Sequence, residues 1–165
     1  MTSQNPISFE MIKAAGISLS PALTQVLIGR SDLIALSQQA HDACLKPQEP
    51  GGITYTFRAA LAGRISSLHE EFGLADHYKS LIPTNDPAIG IVDPSLSLSY
   101  SATIEVMIKH SDIVTKNPRT VDDTDIKTLE TNGLTTSDIV RLSEIIAFMN
   151  YAIRVIKGIR LMGEI

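Results

Sequence analysis

The sequence predicts an all-α protein, a bundle of about six to eight helices, and three observations indicate this class. Apolar residues recur at spacings of three and four along most of the chain, as they do in helices that bury one face. Serine, threonine or aspartate precedes several of these segments, and glycine or proline follows them, which is typical of helix starts and ends. The one segment with strand propensity, ITYTF at residues 53–57, lies in a helical context, so we predict no strand.

The N-terminal residues 1–19 are expected to form an arm with one short helix near residues 7–15. The remaining residues, 20–165, are expected to form a single domain. Ser20 and Pro21 are typical of a helix start, with a capping hydroxyl and then a proline at the first helical position. In the next helix, four apolar residues share one face and are expected to be buried: Leu33, Leu36, Ala40 and Ala43.

Two proline- and glycine-rich segments separate the later helices. KPQEPGG at residues 46–52 predicts a loop, and residues 82–97, with three prolines and one glycine, predict a loop that crosses the surface. Asn132 and Gly133 are typical of a left-handed helix end. The expected helices of the domain cover residues 21–28, 31–45, 54–67, 70–81, 99–114, 123–130 and 134–165.

The last segment, residues 134–165, has the longest uninterrupted helical period. Its two adjacent apolar stripes are Ile139, Leu142, Ile146, Met149, Ile153 and Ile156, and beside them Ile145, Phe148, Ala152, Val155, Ile159 and Met162. Its polar residues change sides midway along the helix. Two interpretations therefore remain open: a core helix with one polar side, or a helix with the core on one face and a subunit interface on another.

The composition argues against several functional classes. The formal net charge is −4 and tryptophan is absent, so the basic surface and aromatic platform of a nucleic-acid-binding protein are not expected. The sequence contains no run of eighteen apolar residues, the length needed to cross a membrane. The N-terminus MTSQNPISFEMIK lacks the features of a secretion signal. The single cysteine, Cys44, allows no intrachain disulfide. These features predict a cytoplasmic protein that binds neither nucleic acid nor membrane.

Two stretches resemble a known superfamily. RAALAGRISSLHEEFGLADHY, residues 58–78, and the C-terminal HSDIVTKNPRT and LTTSDIVRLSEIIAFMNYAIRVIKGIRL are similar to the carboxymuconolactone decarboxylase and alkylhydroperoxidase D-like superfamily. The C-terminal stretch resembles a peroxidase-related branch of that superfamily. The resemblance covers roughly residues 20–165. It implies an alkylhydroperoxidase D-like helical bundle that assembles into homo-trimers or homo-hexamers.

The resemblance also implies that the superfamily's catalytic motif is largely replaced. Its histidine falls on His77 and its relay glutamate on Arg58. Its two cysteines fall on Glu70 and Gly73. The disulfide chemistry of such a motif needs one thiol that attacks and another that resolves. Since Cys44 is the one cysteine of the chain, we expect no dithiol peroxidase cycle.

His77 and Glu70 are the candidate catalytic residues that remain. If one unbroken helix carries both, they share a face with Gly73, which would leave space for a small ligand. The imidazole and the carboxylate would then suit a general acid/base pair in a lyase or isomerase acting on a small organic acid. The alternative is that His77 is a hydrogen-bonded histidine in a vestigial site and that Glu70 is solvated.

Other candidates lie outside this motif. His41 and Cys44 are three residues apart on one predicted helix, which would allow a histidine-activated thiolate, although a small buried cysteine is the commoner arrangement. Arg58 and Arg154 are candidates for binding a ligand carboxylate, or alternatively for structural contacts. His69 is eight residues from the next histidine, too far for a chelating helical turn, so we expect no metal and no cofactor.

Two functional hypotheses follow from the sequence. In the first, the chain is an alkylhydroperoxidase D-like protein without the thiol pair that acts on a small molecule, as a lyase or isomerase or in a residual peroxidase-related role. In the second, it is a non-catalytic helical oligomer with a structural or ligand-binding role. The environment of His77 distinguishes them, because catalysis needs a polar pocket there and a structural role needs tight packing.

Overall fold

The computed structural model describes residues 9–96 and 99–164, and all the regular structure in these residues is helical. There are eight α-helices and two 3-10 helices, Pro87–Val92 and Pro118–Thr120. The α-helices are α1 (Glu10–Ala14), α2 (Pro21–Ile28), α3 (Ser31–Leu45), α4 (Tyr55–Leu68), α5 (Phe72–Ser80), α6 (Ala102–Lys116), α7 (Asp123–Thr131) and α8 (Thr136–Gly163). The predicted all-α class and the predicted number of helices are confirmed.

The helix α4 lies at the centre of the bundle. Every residue from Phe57 to Ser66 is buried, so this part of α4 has no solvent face. Such a helix needs neighbours on all sides, and α4 packs against α3, α5, α6, α8 and the Pro87–Val92 helix. A Cβ added to Gly63 would lie 3.0 Å from a methyl group of Val92, so glycine permits this close approach.

The helix α8 matches the predicted long helix with two apolar stripes. All six residues of its first stripe are buried. In the second stripe, Ile145, Phe148, Ala152 and Ile159 are buried, Val155 is half-buried and Met162 is exposed. The helix begins at Thr135, whose hydroxyl accepts a hydrogen bond from the backbone amide of Asp138.

The short helix α1 packs into the bundle. Phe9, Met11 and Ile12 are buried, and α1 contacts α5 and α8. Glu10, between these apolar residues, is thereby held beside α3 and α5. The domain boundary after residue 19 stays a prediction.

Two packing expectations were wrong. Residues 82–97 were expected to form a surface loop, but Pro87–Val92 is a 3-10 helix, and its Ile91 and Val92 are buried against α4; residue 97 lies outside the described residues. In α3 the buried residues are Ile34, Ser37, His41 and Leu45, whereas Leu33 and Leu36 are 52% and 58% exposed. Ala40 and Ala43 are exposed as well.

The buried face of α3 includes polar side chains, which explains why the apolar pattern did not locate it. The hydroxyl of Ser37 lies 2.9 Å from that of Tyr151 on α8, within hydrogen-bond distance. Helical segments that bury polar partners do not follow the hydrophobic period. Of the helices that the structure describes, none has the length and hydropathy of a membrane span.

Candidate functional site

The chain makes a sharp turn between α4 and α5. The helix α4 ends at Leu68 and α5 begins at Phe72, and between them Glu70 has a φ of 62°. A non-glycine residue in this left-handed region interrupts the helical path. Glu70 and His77 therefore do not share one unbroken helix, and the side chain of Glu70 is exposed.

The space beside Gly73 is also occupied. A Cβ at this position would lie 3.1 Å from the carbonyl oxygen of Ala14, at the end of α1. Gly73 thus permits α1 to approach α5 closely and does not leave the room for a ligand that its sequence position suggested.

Two cationic residues of α8 hold the turn in place. Arg160 donates hydrogen bonds of 2.6 and 2.8 Å to the two carboxylate oxygens of Glu71, and Lys157 donates one of 2.9 Å to the carbonyl of His69. Glu71 is 4% exposed, and a buried carboxylate is stable only with such partners. The end of α8 therefore fixes the turn between α4 and α5.

His77 on α5 is paired with Glu10 on α1. The Nε2 of His77 lies 3.1 Å from Oε1 of Glu10, and the two side chains are 24% and 30% exposed. The other oxygen of Glu10 accepts a hydrogen bond of 2.8 Å from Nζ of Lys46. The backbone amide of Glu10 donates to the side-chain oxygen of Gln38 at 2.8 Å, which fixes α1 on α3. The carboxylate partner of His77 is thus Glu10 and not Glu70.

The neighbours of Glu10 determine its ionisation. Burial alone would raise the pKa of its carboxyl group, but the hydrogen bond from Lys46 and the charges of His41, Lys46 and His77 bring this pKa below its ordinary value of 4.5. Glu10 is therefore anionic at neutral pH.

His41 of α3 lies behind this pair and is completely buried. Its Nδ1 is 2.9 Å from Oδ1 of Asp42, and Gln38 donates to the same oxygen at 3.0 Å. Because a carboxylate only accepts hydrogen bonds, Nδ1 of His41 carries a hydrogen. Within the described residues, this buried Nε2 has no hydrogen-bond partner.

Tyr78 supplies a second buried polar atom of this kind. Its side chain is 1% exposed, and its hydroxyl has no partner in the part of the chain that the structure describes. Its ring stacks on that of His41 with centroids 6.3 Å apart. Burial, and to a lesser degree the charge of Glu10, raise the pKa of the Tyr78 hydroxyl, which stays protonated. Buried polar atoms without partners are rare, and two of the four in the described residues lie on these neighbouring rings.

A cavity of about 260 Å³ opens next to this cluster. It is lined by Leu45, Lys46, Tyr55, Thr56, Ala59, Tyr78, Leu81 and Pro83. Lys46 is the cationic residue of this lining, and its hydrogen bond to Glu10 connects the cavity with the His77 pair. Tyr78 contributes its ring to the wall, because its hydroxyl is buried. Apolar walls with one cation suit a small organic anion.

The two candidate ligand-binding arginines have structural contacts. Arg58 is 1% exposed, and its guanidinium donates to the backbone carbonyls of Cys44, Pro50 and Ile53. It therefore ties the end of α3 and the following loop to α4. Arg154 is exposed and donates to the carbonyl of Asn150, one turn earlier in its own helix, at 2.6 Å. These contacts favour the structural alternative for both residues.

The environment of Cys44 disfavours a reactive thiolate. The residue is half-buried. Burial raises the pKa of its thiol, and the charge of Glu144 adds to this effect against a smaller opposite contribution from Arg58. Reactive cysteines have the opposite shift. These surroundings favour the alternative of a structural cysteine.

Glu10, Lys46 and Tyr78 are not among the site residues that the sequence predicted. Glu10 lies 67 positions before His77, in the predicted arm, and Lys46 lies in a predicted loop. Their approach depends on how α1 and α3 pack on α5, which a hydrophobic period does not specify. The one local signal is that Tyr78 directly follows His77.

Solved structures of two other proteins share this arrangement of helices. An uncharacterized peroxidase-related protein from Silicibacter sp. TM1040 matches with a TM-score of 0.67 at 17% identity, over 91% of this chain and 79% of the other. An alkylhydroperoxidase AhpD core, an uncharacterized peroxidase-related protein from Ralstonia eutropha JMP134, matches with a TM-score of 0.62 at 20% identity, over 94% and 86%. No protein-family model and no curated protein matches the sequence. The chain therefore has the alkylhydroperoxidase AhpD-like helical fold.

Proposed function

We propose that this protein catalyses proton transfer on a small organic acid, as a cofactor-free isomerase or lyase, with His77 as the general base. The observation that carries the proposal is the contact of 3.1 Å between Nε2 of His77 and the carboxylate of Glu10. Both side chains are partly accessible, so a substrate can reach them. A histidine oriented by a carboxylate is a recurrent arrangement for general acid–base catalysis.

The carboxylate of Glu10 determines which nitrogen of His77 acts as the general base. Glu10 accepts a hydrogen bond from Nε2, so Nε2 carries a hydrogen and Nδ1 has the lone pair. In an isomerisation, Nδ1 takes a proton from one carbon of the substrate, and the resulting imidazolium returns it to another carbon. Glu10 stabilises the imidazolium in between, and no electrons are exchanged with a second reactant. Such chemistry needs neither of the two thiols of the redox motif.

Lys46 is placed to bind the substrate's carboxylate. It lines the cavity, is 49% exposed and remains next to Glu10. A lysine ammonium has three donors, so it can bind a substrate carboxylate while it keeps its hydrogen bond to Glu10. The apolar remainder of the cavity wall offers contacts for the carbon skeleton of the substrate. His77 is not among the lining residues and lies beyond Lys46 and Glu10, so the substrate must extend out of the cavity to reach it.

Exchange of carbon-bound hydrogen with solvent deuterium measures this activity even though the product of the natural reaction is not known. Small unsaturated carboxylic acids and lactone acids are incubated with the protein in deuterium oxide, and NMR follows the loss of carbon-bound hydrogen. We expect H77Q to lower the exchange rate at least about 100-fold, the usual contribution of a general base. E10Q should lower it as well, because an amide cannot stabilise the imidazolium.

The exposed Glu70 offers a matched control. E70Q changes the same functional group outside the pair, and it should leave the exchange rate unchanged. Equal rates in the wild type and H77Q would remove His77 as the base. Binding of the acids without any exchange would support the second hypothesis, a helical protein that binds small molecules without catalysis.

A further inference from the structure

The cavity beside Lys46 has a cationic rim and an apolar inner end. It is formed by the end of α3, the first turns of α4 and the end of α5. At the rim, Lys46, Tyr55 and Leu81 are half-exposed. The lining residues of the inner end are buried, and these are Leu45, Ala59 and Tyr78. A ligand that matches this arrangement has an anionic group at one end and an apolar body.

The lining of this cavity provides for one charge and no more. Among the described residues that line it, Lys46 alone is charged. The hydroxyl of Tyr55 already donates to the backbone carbonyl of Pro47 at 2.8 Å, and the hydroxyl of Tyr78 is buried within the protein. A second charged group at the inner end would lose its water without gaining a partner, which is strongly unfavourable.

We infer that the ligands of this cavity are monocarboxylic acids with an apolar tail, and that such acids are the substrates of His77. The carboxylate binds Lys46 at the rim, and the tail points toward Ala59 at the inner end. As a statement about substrates this inference rests on the proposed function, whereas the binding of the acids does not depend on it.

The volume of the cavity limits the length of the tail. An apolar protein cavity of about 150 Å³ holds benzene, which has six carbon atoms. At the same density, this cavity of about 260 Å³ has space for about ten carbon atoms. Ala59 is buried at the inner end, so a larger side chain there would occupy the space of the last carbon atoms. We therefore expect Ala59 to determine the tail length.

This orientation keeps the carboxylate end of the acid close to His77. Nζ of Lys46 lies 2.8 Å from one oxygen of Glu10, and the other oxygen of Glu10 lies 3.1 Å from Nε2 of His77. The end of the acid that extends out of the cavity is thus the end next to the proposed base. Because Glu10 is anionic, its charge opposes the incoming carboxylate, which Lys46 attracts.

Titration calorimetry with saturated acids from butanoate to dodecanoate measures binding separately from catalysis. Affinity should rise about fourfold for each added methylene group, and it should stop rising near decanoate, where the tail fills the cavity. In A59L the new side chain takes up part of the cavity, so the rise should stop about three carbon atoms earlier. A35L enlarges an exposed alanine on α3 and should follow the wild type.

Two charge variants test the orientation at the rim. K46M should weaken the binding of octanoate at least about tenfold, because it removes the charged donor to the carboxylate. E10Q should strengthen this binding about two- to fivefold, because it removes the opposing charge, although the same variant lowers the exchange rate of the substrate. General loss of structure does not shift affinity in opposite directions.

Octanedioate is the matched ligand, because it has the chain length of octanoate and a second carboxylate. It should bind at least about tenfold more weakly than octanoate. Equal affinity for the two acids, or the same chain-length profile in A59L and the wild type, would overturn the inference. Absence of octanoate binding would overturn it too, even if other acids exchange hydrogen in the deuterium assay. Length-dependent binding without exchange would support the inference about the cavity and contradict the proposed function.

Discussion

The buried guanidinium of Arg58 holds three segments of the backbone together. Its three hydrogen bonds end on backbone carbonyls at the end of α3, in the loop and before α4. Burial and the nearby Arg141 lower the pKa of Arg58 below its ordinary value, and a guanidinium remains charged at neutral pH. Arg58 therefore fixes the scaffold around the start of α4.

We expect R58M to destabilise the protein by about 3 kcal/mol, because the carbonyls it leaves buried lose their donor. For a chain of this size, that corresponds to a fall in Tm of roughly 6–12 °C. Thermal unfolding followed by circular dichroism measures it. R154M is the matched control, since Arg154 is exposed and bonds its own helix, and it should change stability by less than about 0.5 kcal/mol. A Tm unchanged in R58M would contradict the structural role.

The backbone of Glu70 gives a second prediction at a single residue. Its φ of 62° lies in the left-handed region, where a residue with a Cβ costs about 1–2 kcal/mol more than glycine. E70G should therefore be more stable than E70A by about 1 kcal/mol in chemical denaturation. G133A makes the reverse change at a residue with a φ of 92° and open space around it, and it should lose a similar amount. Equal stability of E70A and E70G would contradict the prediction, because it would show that residue 70 can leave the left-handed conformation without cost.

Single residues also show where the sequence was informative about the site. His77 was found because it occupies a motif position, and the structure gives it a carboxylate partner. The partner was misassigned to Glu70 because the pairing assumed a continuous helix. Its true partner, Glu10, becomes visible only when α1 packs on α5, and this depends on contacts between distant segments.

At the scale of elements, α1 is attached to the bundle both by apolar packing and by ion pairs. Glu10 bonds Lys46 after α3 and His77 on α5, so one carboxylate connects three parts of the chain. Since the folded-state pKa of Glu10 lies below its ordinary value, its ion pairs add stability at pH values above the unfolded-state pKa. That stability is lost as the pH falls through the folded-state pKa.

The prediction is a smaller acid sensitivity in E10Q. Between about pH 5 and pH 3, the free energy of unfolding of the wild type should fall more than that of E10Q, by up to about 1 kcal/mol for these partly exposed pairs. Urea denaturation of both proteins at both pH values measures the difference. The other carboxyl groups are the same in the two proteins, so their contribution cancels in the comparison. An equal fall in the two proteins would mean that Glu10 does not hold α1 in solution.

Elements were predicted well where local chemistry decides them. The limits of α2 and α3 match those expected, and Ser20 with Pro21 at the start of α2 behaves as predicted. The faces of the helices were less predictable. The buried side of α3 contains Ser37 and His41, whose burial is stabilised by a partner on α8 and by Asp42. The spacing of apolar residues does not predict the burial of such polar side chains.

At the scale of the whole molecule, α2, α3 and α8 each expose large apolar side chains. Val26, Leu33, Leu36, Tyr151 and Met162 are 46–58% exposed. A largely apolar cavity of about 450 Å³ lies between α3 and α8 on this side. Leu33, Tyr151 and Met162 line this cavity, and an exposed apolar patch of this kind marks interfaces between proteins. It also includes Met162 of the second α8 stripe, which favours the interpretation of α8 as core on one face and subunit interface on another.

We therefore predict that the chain self-associates through this surface. Light scattering coupled to size exclusion should give a multiple of the chain mass of 17.9 kDa, and a trimer or hexamer is expected from the sequence resemblance. The double variant L33D/L36D should shift the mass toward the monomer and keep its helical circular dichroism, because both side chains are exposed in the isolated chain. F72D changes an equally exposed apolar residue on α5 and should leave the mass unaltered. A wild-type mass of one chain would contradict the interface, and dissociation by F72D alone would place it on α5.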